Sequence, residues 1–91
     1  MIKQVVLVIK GRVQGVFYRA EAREKAMKLG IIGYAQNNRD GTVTICASGE
    51  EKPLEEFITW CRKGPDYAQV DNVEVTAQNS SPEQFHGFEI Y

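Results

Sequence analysis

Residues 3–29, KQVVLVIKGRVQGVFYRAEAREKAMKL, pass from the pattern of a strand to that of a helix across one short loop. The run from Lys3 to Lys10 is apolar and β-branched between polar ends, which predicts a central strand. Gly30 follows the helical part and is a natural C-terminal stop. Alternation places Val5, Leu7 and Ile9 on one face of the strand, and helical spacing aligns Tyr18, Ala22, Ala26 and Leu29 in one stripe. We therefore predict a strand over 3–10 and a helix over 18–29.

The next segment has the pattern of a β-hairpin. Two short strands are predicted over 31–36 and 42–48, separated by a turn at 38–41 whose Asp-Gly supplies a positive φ. Alternation along the second of these strands places Val43, Ile45 and Ala47 inward and leaves Thr44, Cys46 and Ser48 on the open face.

The remaining chain predicts a second helix and two more strands. Pro53 suits a first helical turn, and Gly64-Pro65 ends the helix after Arg62 and Lys63. Its buried stripe consists of Leu54, Phe57, Ile58 and Cys61. Strands are then predicted over 70–78 and 84–91, joined by Asn79-Ser80-Ser81-Pro82.

This order of elements predicts an α+β fold, the ferredoxin-like βαββαβ plait. Two βαβ crossovers on one sheet give an antiparallel four-stranded sheet with both helices on one face, plus a short C-terminal strand. The fold hosts many functions and decides none of them.

Length and composition bound the possible classes of protein. The 91 residues are 43% hydrophobic and 25% charged, which predicts one folded domain over 1–91. The net charge of −1 and the lack of a basic run argue against nucleic-acid binding. The longest apolar run, from Val5 to Ile9, is far shorter than the ~20 residues that span a bilayer, and a signal-peptide core is absent. We expect a soluble, cytoplasmic monomer with no membrane partner.

Two cysteines and one histidine offer little catalytic chemistry. Cys46 and Cys61 are too few for a disulfide framework, and His86 is too distant from them for metal-ligand spacing. We therefore expect two free thiols and no metal site. His86 is interpreted as a loop residue.

The loop from Gly11 to Arg19 is the most informative segment. Two glycines permit a sharp turn, and the amides that follow converge at a helix N-terminus, where an anion is favoured. Arg19 adds a planar charged fork suited to phosphate or carboxylate. The alternative is an ordinary connection with Arg19 as a solvated charge. Asn37, at the end of the second predicted strand, faces either a reactant or its own turn.

Three segments resemble the acylphosphatases: GRVQGVFYR over 11–19, LGIIGYAQN over 29–37 and DGTV over 40–43. The resemblance covers nearly the whole chain, including GFEI over 87–90. It implies that Arg19 binds the substrate phosphate and that Asn37 orients the attacking water. The backbone amides that complete the phosphate site would be those of Gln14, Gly15, Val16, Phe17, Tyr18 and Arg19. Phe17 stands where many bacterial members have glycine, although other members have an aromatic residue there.

The resemblance implies hydrolysis of acyl phosphates to a carboxylate and inorganic phosphate, with the phosphate also acting as a competitive inhibitor. A carboxylate leaves readily as an anion, so the reaction requires positioning and electrostatic stabilisation rather than a strong acid, a cofactor or a metal. The alternative is a non-catalytic domain that binds acyl or carbamoyl phosphate or a phosphorylated partner. RNA binding is disfavoured because the open face of the third strand lacks aromatic residues.

Overall fold

The structure, a computed structural model, describes residues 2–79 and 85–91 and contains two helices and five strands. Their order is β1 (Ile2–Arg12), α1 (Tyr18–Leu29), β2 (Ile32–Asn37), β3 (Val43–Glu50), α2 (Glu51–Lys63), β4 (Gln69–Gln78) and β5 (Phe88–Ile90). The βαββαβ order predicted from the sequence is confirmed. Neither described helix is long and apolar enough to cross a membrane.

The strands form one sheet in the order β4-β1-β3-β2-β5. The first four pair antiparallel, with Leu7 opposite Ile45 on one side and Val75 on the other. β5 instead pairs parallel with β2, so the complete sheet is mixed. The predicted antiparallel four-stranded sheet is therefore correct, and the C-terminal strand extends it in the other sense.

The last predicted strand, 84–91, is longer than the observed β5. Only Phe88 to Ile90 pair with β2, whereas Phe85 to Gly87 precede the strand and are not part of it. Residue 84 and the predicted connection at 80–82 lie outside the described residues. His86 is an exposed residue of the bend before β5, in agreement with its interpretation as a loop residue.

Both helices cover the same face of the sheet, and the predicted stripes form the core, except that Leu29 and Ile58 are only partly buried and pack against it. The helices bury Tyr18, Ala22, Ala26, Leu54, Phe57 and Cys61 against Leu7, Ile9, Ala35, Val43, Ile45 and Ala47 of the sheet. Tyr18 donates a hydrogen bond of 2.7 Å from its hydroxyl to the Cys61 carbonyl oxygen. This buried bond ties the start of α1 to the end of α2.

The prediction that Cys46 lies on an open face is wrong in one respect. Its side chain is on the face away from the helices, yet the residue is only 3% exposed. Its register partners are Val6 and Tyr34, and the Tyr34 ring packs against those of Phe85 and Tyr91. These larger side chains flank the thiol, and its burial raises the pKa of Cys46.

The cysteines are both free, as predicted. Cys61 lies in the core beneath α2, on the opposite side of the sheet from Cys46. Burial raises the pKa of the Cys61 thiol to about 12. It therefore stays protonated and unreactive near neutral pH.

The chain leaves β1 through an irregularity in its pairing with β4. The register shifts between Lys10 and Gly11, and Gly11 has a φ of 131°. A Cβ atom at this position would lie 2.1 Å from the Gln69 carbonyl oxygen, so only glycine fits. This bulge directs the chain into the loop before α1.

Candidate active site

The loop between β1 and α1 encloses a small hollow, which we call the cradle. Gly15 and Phe17 both have left-handed backbones, with φ of 76° and 64°, and so bend the chain twice within three residues. The hollow has a volume of about 290 Å³ and is lined by Val13, Gly15, Phe17, Tyr18, Arg19, Ala20 and Ile90. Four of these seven residues belong to the predicted 14–19 segment.

The N-terminus of α1 opens at the cradle without a side-chain cap. Phe17 is the N-cap residue, and the first helical bond runs 3.0 Å from the Glu21 amide to the Phe17 carbonyl. The amides of the preceding first turn consequently have no helical acceptor. Their donors and the helix dipole together favour an anion at this place.

Arg19 lines the cradle and is partly buried. Its guanidinium donates from Nη1 to the main-chain oxygen of Tyr91 at 2.5 Å. The Tyr91 amide in turn donates to the carbonyl of Ala35 on β2 at 2.9 Å. Arg19 is thereby linked through Tyr91 to β2, the strand that ends at Asn37.

Asn37 is the last residue of β2. Because β1 and β2 both pair antiparallel with β3, they run in the same direction. Both strands therefore end at the same end of the sheet, where the cradle lies. The side-chain Oδ1 atom of Asn37 is buried and has no hydrogen-bond partner among the described residues. Asn37 does not belong to the residues that line the cradle itself.

The turn after β2 is stabilised by Asn38 rather than Asn37. The Asn38 Nδ2 atom donates to Thr42 Oγ1 at 2.9 Å and to Thr44 Oγ1 at 2.7 Å. Asp40 accepts from the Thr42 hydroxyl at 2.6 Å and from its amide at 3.0 Å, and these bonds lower the pKa of Asp40. The neighbours thus supply the local bonds that would otherwise account for an asparagine at position 37.

Gln14 has a side-chain role that the sequence did not reveal. Its Nε2 atom donates to the carbonyl oxygens of Asn38 at 2.7 Å and Thr42 at 2.9 Å. Both acceptors are backbone atoms, 24 and 28 residues away, so no residue pattern signals the contact. The bond pair fixes the cradle loop to the hairpin that follows Asn37.

Gln14→Glu is expected to lower the free energy of unfolding by about 1–3 kcal/mol, because it replaces the donor with an oxygen facing two carbonyl oxygens. Urea denaturation measures the change. Gln36→Glu makes the same chemical change at an exposed position on β2 and should alter stability by less than about 0.5 kcal/mol. Equal stabilities of the two variants would contradict the bridging role of Gln14.

The cradle contains no obvious general base. Of the described residues that line it, only Tyr18 and Arg19 carry titratable side chains. Burial raises the pKa of Tyr18 far above its ordinary value, so its hydroxyl stays protonated. Within residues 2–79 and 85–91, no three His, Cys, Asp or Glu side chains are grouped so that they could hold a metal ion.

Comparisons with known proteins identify relatives along the whole chain. A model of the acylphosphatase family matches residues 5–90. The acylphosphatase of Thermus thermophilus is 44% identical over 88 residues, which cover 97% of this chain and 98% of the relative. The crystal structure of acylphosphatase from Bacillus subtilis has a TM-score of 0.92 at 34% identity, covering 100% of this chain and 99% of that one.

A similar fold also occurs within a much larger protein. Full-length HypF, solved in a phosphate- and nucleotide-bound form, gives a TM-score of 0.89 at 29% identity. The match covers 100% of this chain and 12% of HypF. The family model and the acylphosphatases of Thermus thermophilus and Bacillus subtilis confirm the resemblance predicted from the motifs. The chain belongs to the acylphosphatase family.

Proposed function

We propose that this protein hydrolyses the carboxyl–phosphate bond of acyl phosphates, releasing a carboxylate and inorganic phosphate. The observation that carries the proposal is the uncapped first turn of α1, which opens on a hollow beside Arg19. Backbone amides from Gln14 to Arg19 and the guanidinium would hold the phosphoryl oxygens. Family membership supports this choice of substrate.

The chemistry requires few groups. An acyl phosphate is a mixed anhydride, and its leaving carboxylate is already stable as an anion near neutral pH. Catalysis therefore consists of stabilising charge on the phosphoryl oxygens and aligning water with the bond that breaks. Arg19 and the loop amides stabilise the charge on the phosphoryl oxygens, without a cofactor or metal.

Asn37 aligns the attacking water with the bond that breaks. Its buried and unpartnered Oδ1 can accept a hydrogen bond from the attacking water, and the amide carries no charge to repel the substrate. The water oxygen bonds to phosphorus as the bond from phosphorus to the acyl oxygen breaks. The electron pair leaves with the carboxylate, and the proton of the water passes to the phosphate, since Tyr18 stays protonated.

The same proposal extends to the setting in which the reaction occurs. Residues 1–91 act as one cytoplasmic, monomeric domain that needs no nucleic-acid or membrane partner. Inorganic phosphate, the product, competes with the substrate for Arg19 and the loop amides.

Phosphate release from benzoyl phosphate tests the proposed activity. We expect hydrolysis at the same rate with and without a metal chelator, because no step requires a metal ion. Loss of activity in the chelator, with recovery on addition of a divalent cation, would contradict the mechanism. Tight phosphate binding without hydrolysis would instead identify a domain that binds acyl or carbamoyl phosphate or a phosphorylated partner, an alternative raised by the likeness to part of HypF.

A further inference from the structure

A second hollow adjoins the cradle. It has a volume of about 430 Å³ and is lined by Arg12, Gly15, Val16, Phe17 and Tyr67. Gly15 and Phe17 also line the cradle, so the two hollows share these two residues of the loop. A group attached to a phosphoryl group in the cradle would therefore lie close to the residues that both hollows share.

The rim of this hollow exposes two aromatic rings. Phe17 is 70% exposed and Tyr67 is 75% exposed. Phe17 also adopts a φ of 64°, which is unfavourable for a residue with a Cβ atom. Neither core packing nor backbone preference explains a phenylalanine at this position, whereas a role in contacting a ligand does.

The sheet order places this hollow on the side opposite Asn37. Arg12 ends β1 and pairs with Gln69 at the start of β4. Tyr67 lies two residues before Gln69 and is therefore close to the end of β1. Asn37 ends β2, which lies on the other side of β1 with β3 between them. The cradle loop thus has Asn37 towards one side and Tyr67 towards the other.

In-line displacement assigns these two sides different roles. The attacking water and the leaving group lie roughly opposite each other across the phosphorus atom. This step rests on the proposed function, in which Asn37 holds the water. The acyl group then points away from Asn37, towards Phe17 and Tyr67.

We propose that the hollow formed by Arg12, Gly15, Val16, Phe17 and Tyr67 binds the acyl group of the substrate and favours acyl phosphates that carry an aromatic ring. The rings of Phe17 and Tyr67 offer apolar faces and edges against which a third ring packs. Acetyl phosphate presents only a methyl group there and gains little from either ring. Phe17 and Tyr67 are therefore specificity determinants for the acyl side of the substrate.

The test compares kcat/KM for benzoyl phosphate with kcat/KM for acetyl phosphate in each variant. Tyr67→Ala and Phe17→Leu should each lower the benzoyl-to-acetyl ratio several-fold, and the double variant should lower it about tenfold. A loss of activity caused by disturbing the cradle at Phe17 would lower kcat/KM for both substrates equally. The ratio of the two values therefore cancels it. Met27→Ala removes another large exposed side chain, 67% exposed on α1, and should leave both values unchanged.

Two negative results are distinguishable. A wild-type protein that hydrolyses both substrates, with a ratio unchanged by Tyr67→Ala and Phe17→Leu, overturns the acyl-group site alone. A wild-type protein that hydrolyses neither substrate overturns the proposed function and this inference with it.

Discussion

Arg19→Ala is expected to reduce the hydrolysis of benzoyl phosphate by at least about a thousandfold and to weaken inhibition by inorganic phosphate. The guanidinium would contact both the bound anion and the transition state, so its loss affects rate and affinity together. Initial rates and the inhibition constant for phosphate measure the two effects. Arg23→Ala is the matched control, because it removes the same charge from an exposed position on α1 and should change neither quantity.

Arg19→Lys should restore only part of the lost activity. One donor of Arg19 already binds the main-chain oxygen of Tyr91, and the rigid fork leaves further donors for the phosphate. A lysine ammonium is a point charge without this fixed geometry. Unchanged kinetics and phosphate affinity in Arg19→Lys would show that positive charge alone suffices.

Asn37→Ala is expected to lower kcat about a hundredfold while the inhibition constant for phosphate stays nearly unchanged. A neutral amide orients water but contributes little to holding an anion, so this variant should differ from Arg19→Ala. Stability should fall by less than about 1 kcal/mol, because Oδ1 has no hydrogen-bond partner to lose among the described residues. Rates, phosphate inhibition and Tm are measured on the same preparation.

Asn37→Asp provides the comparison of matched shape. It keeps an acceptor oxygen but adds a negative charge at the same end of the sheet as the cradle, so phosphate inhibition should weaken as well as the rate. Retained turnover in Asn37→Ala would remove Asn37 from the mechanism. A large fall in its Tm would assign the residue to the hairpin instead.

The elements of this fold were predictable because each has a local signal. The alternation of β3 and the stripe of α2 follow directly from the periods of strand and helix. Pro53 was predicted to lie in a first helical turn and does so, because α2 begins at Glu51 immediately after β3. Here the proline occupies the first turn rather than its first position.

Contacts between distant segments were not predictable in the same way. The bonds of Gln14 to two carbonyl oxygens and the burial of Cys46 beside Tyr34 depend on which strands become neighbours. The positions of Arg19 and Asn37 at one end of the sheet follow from the predicted topology, but the roles proposed for them came from the family resemblance. Tyr67 carried no signal, because only the start of β4 brings it beside the cradle loop.

The position of β1 between β4 and β3 has a consequence for how the protein folds. Ile9 pairs with Val43 and Leu7 with Val75, so the first strand finds its two neighbours only after long stretches of chain have closed into loops. Such pairing slows folding, since loop-closure entropy is lost before the contacts form. The proposed anion site is lined by Ile90 of β5 as well as by the loop after β1, so it is absent from the unfolded chain. We therefore expect phosphate to bind the native state alone, so that a concentration of 100 Kd adds about 2.7 kcal/mol to the stability of the protein.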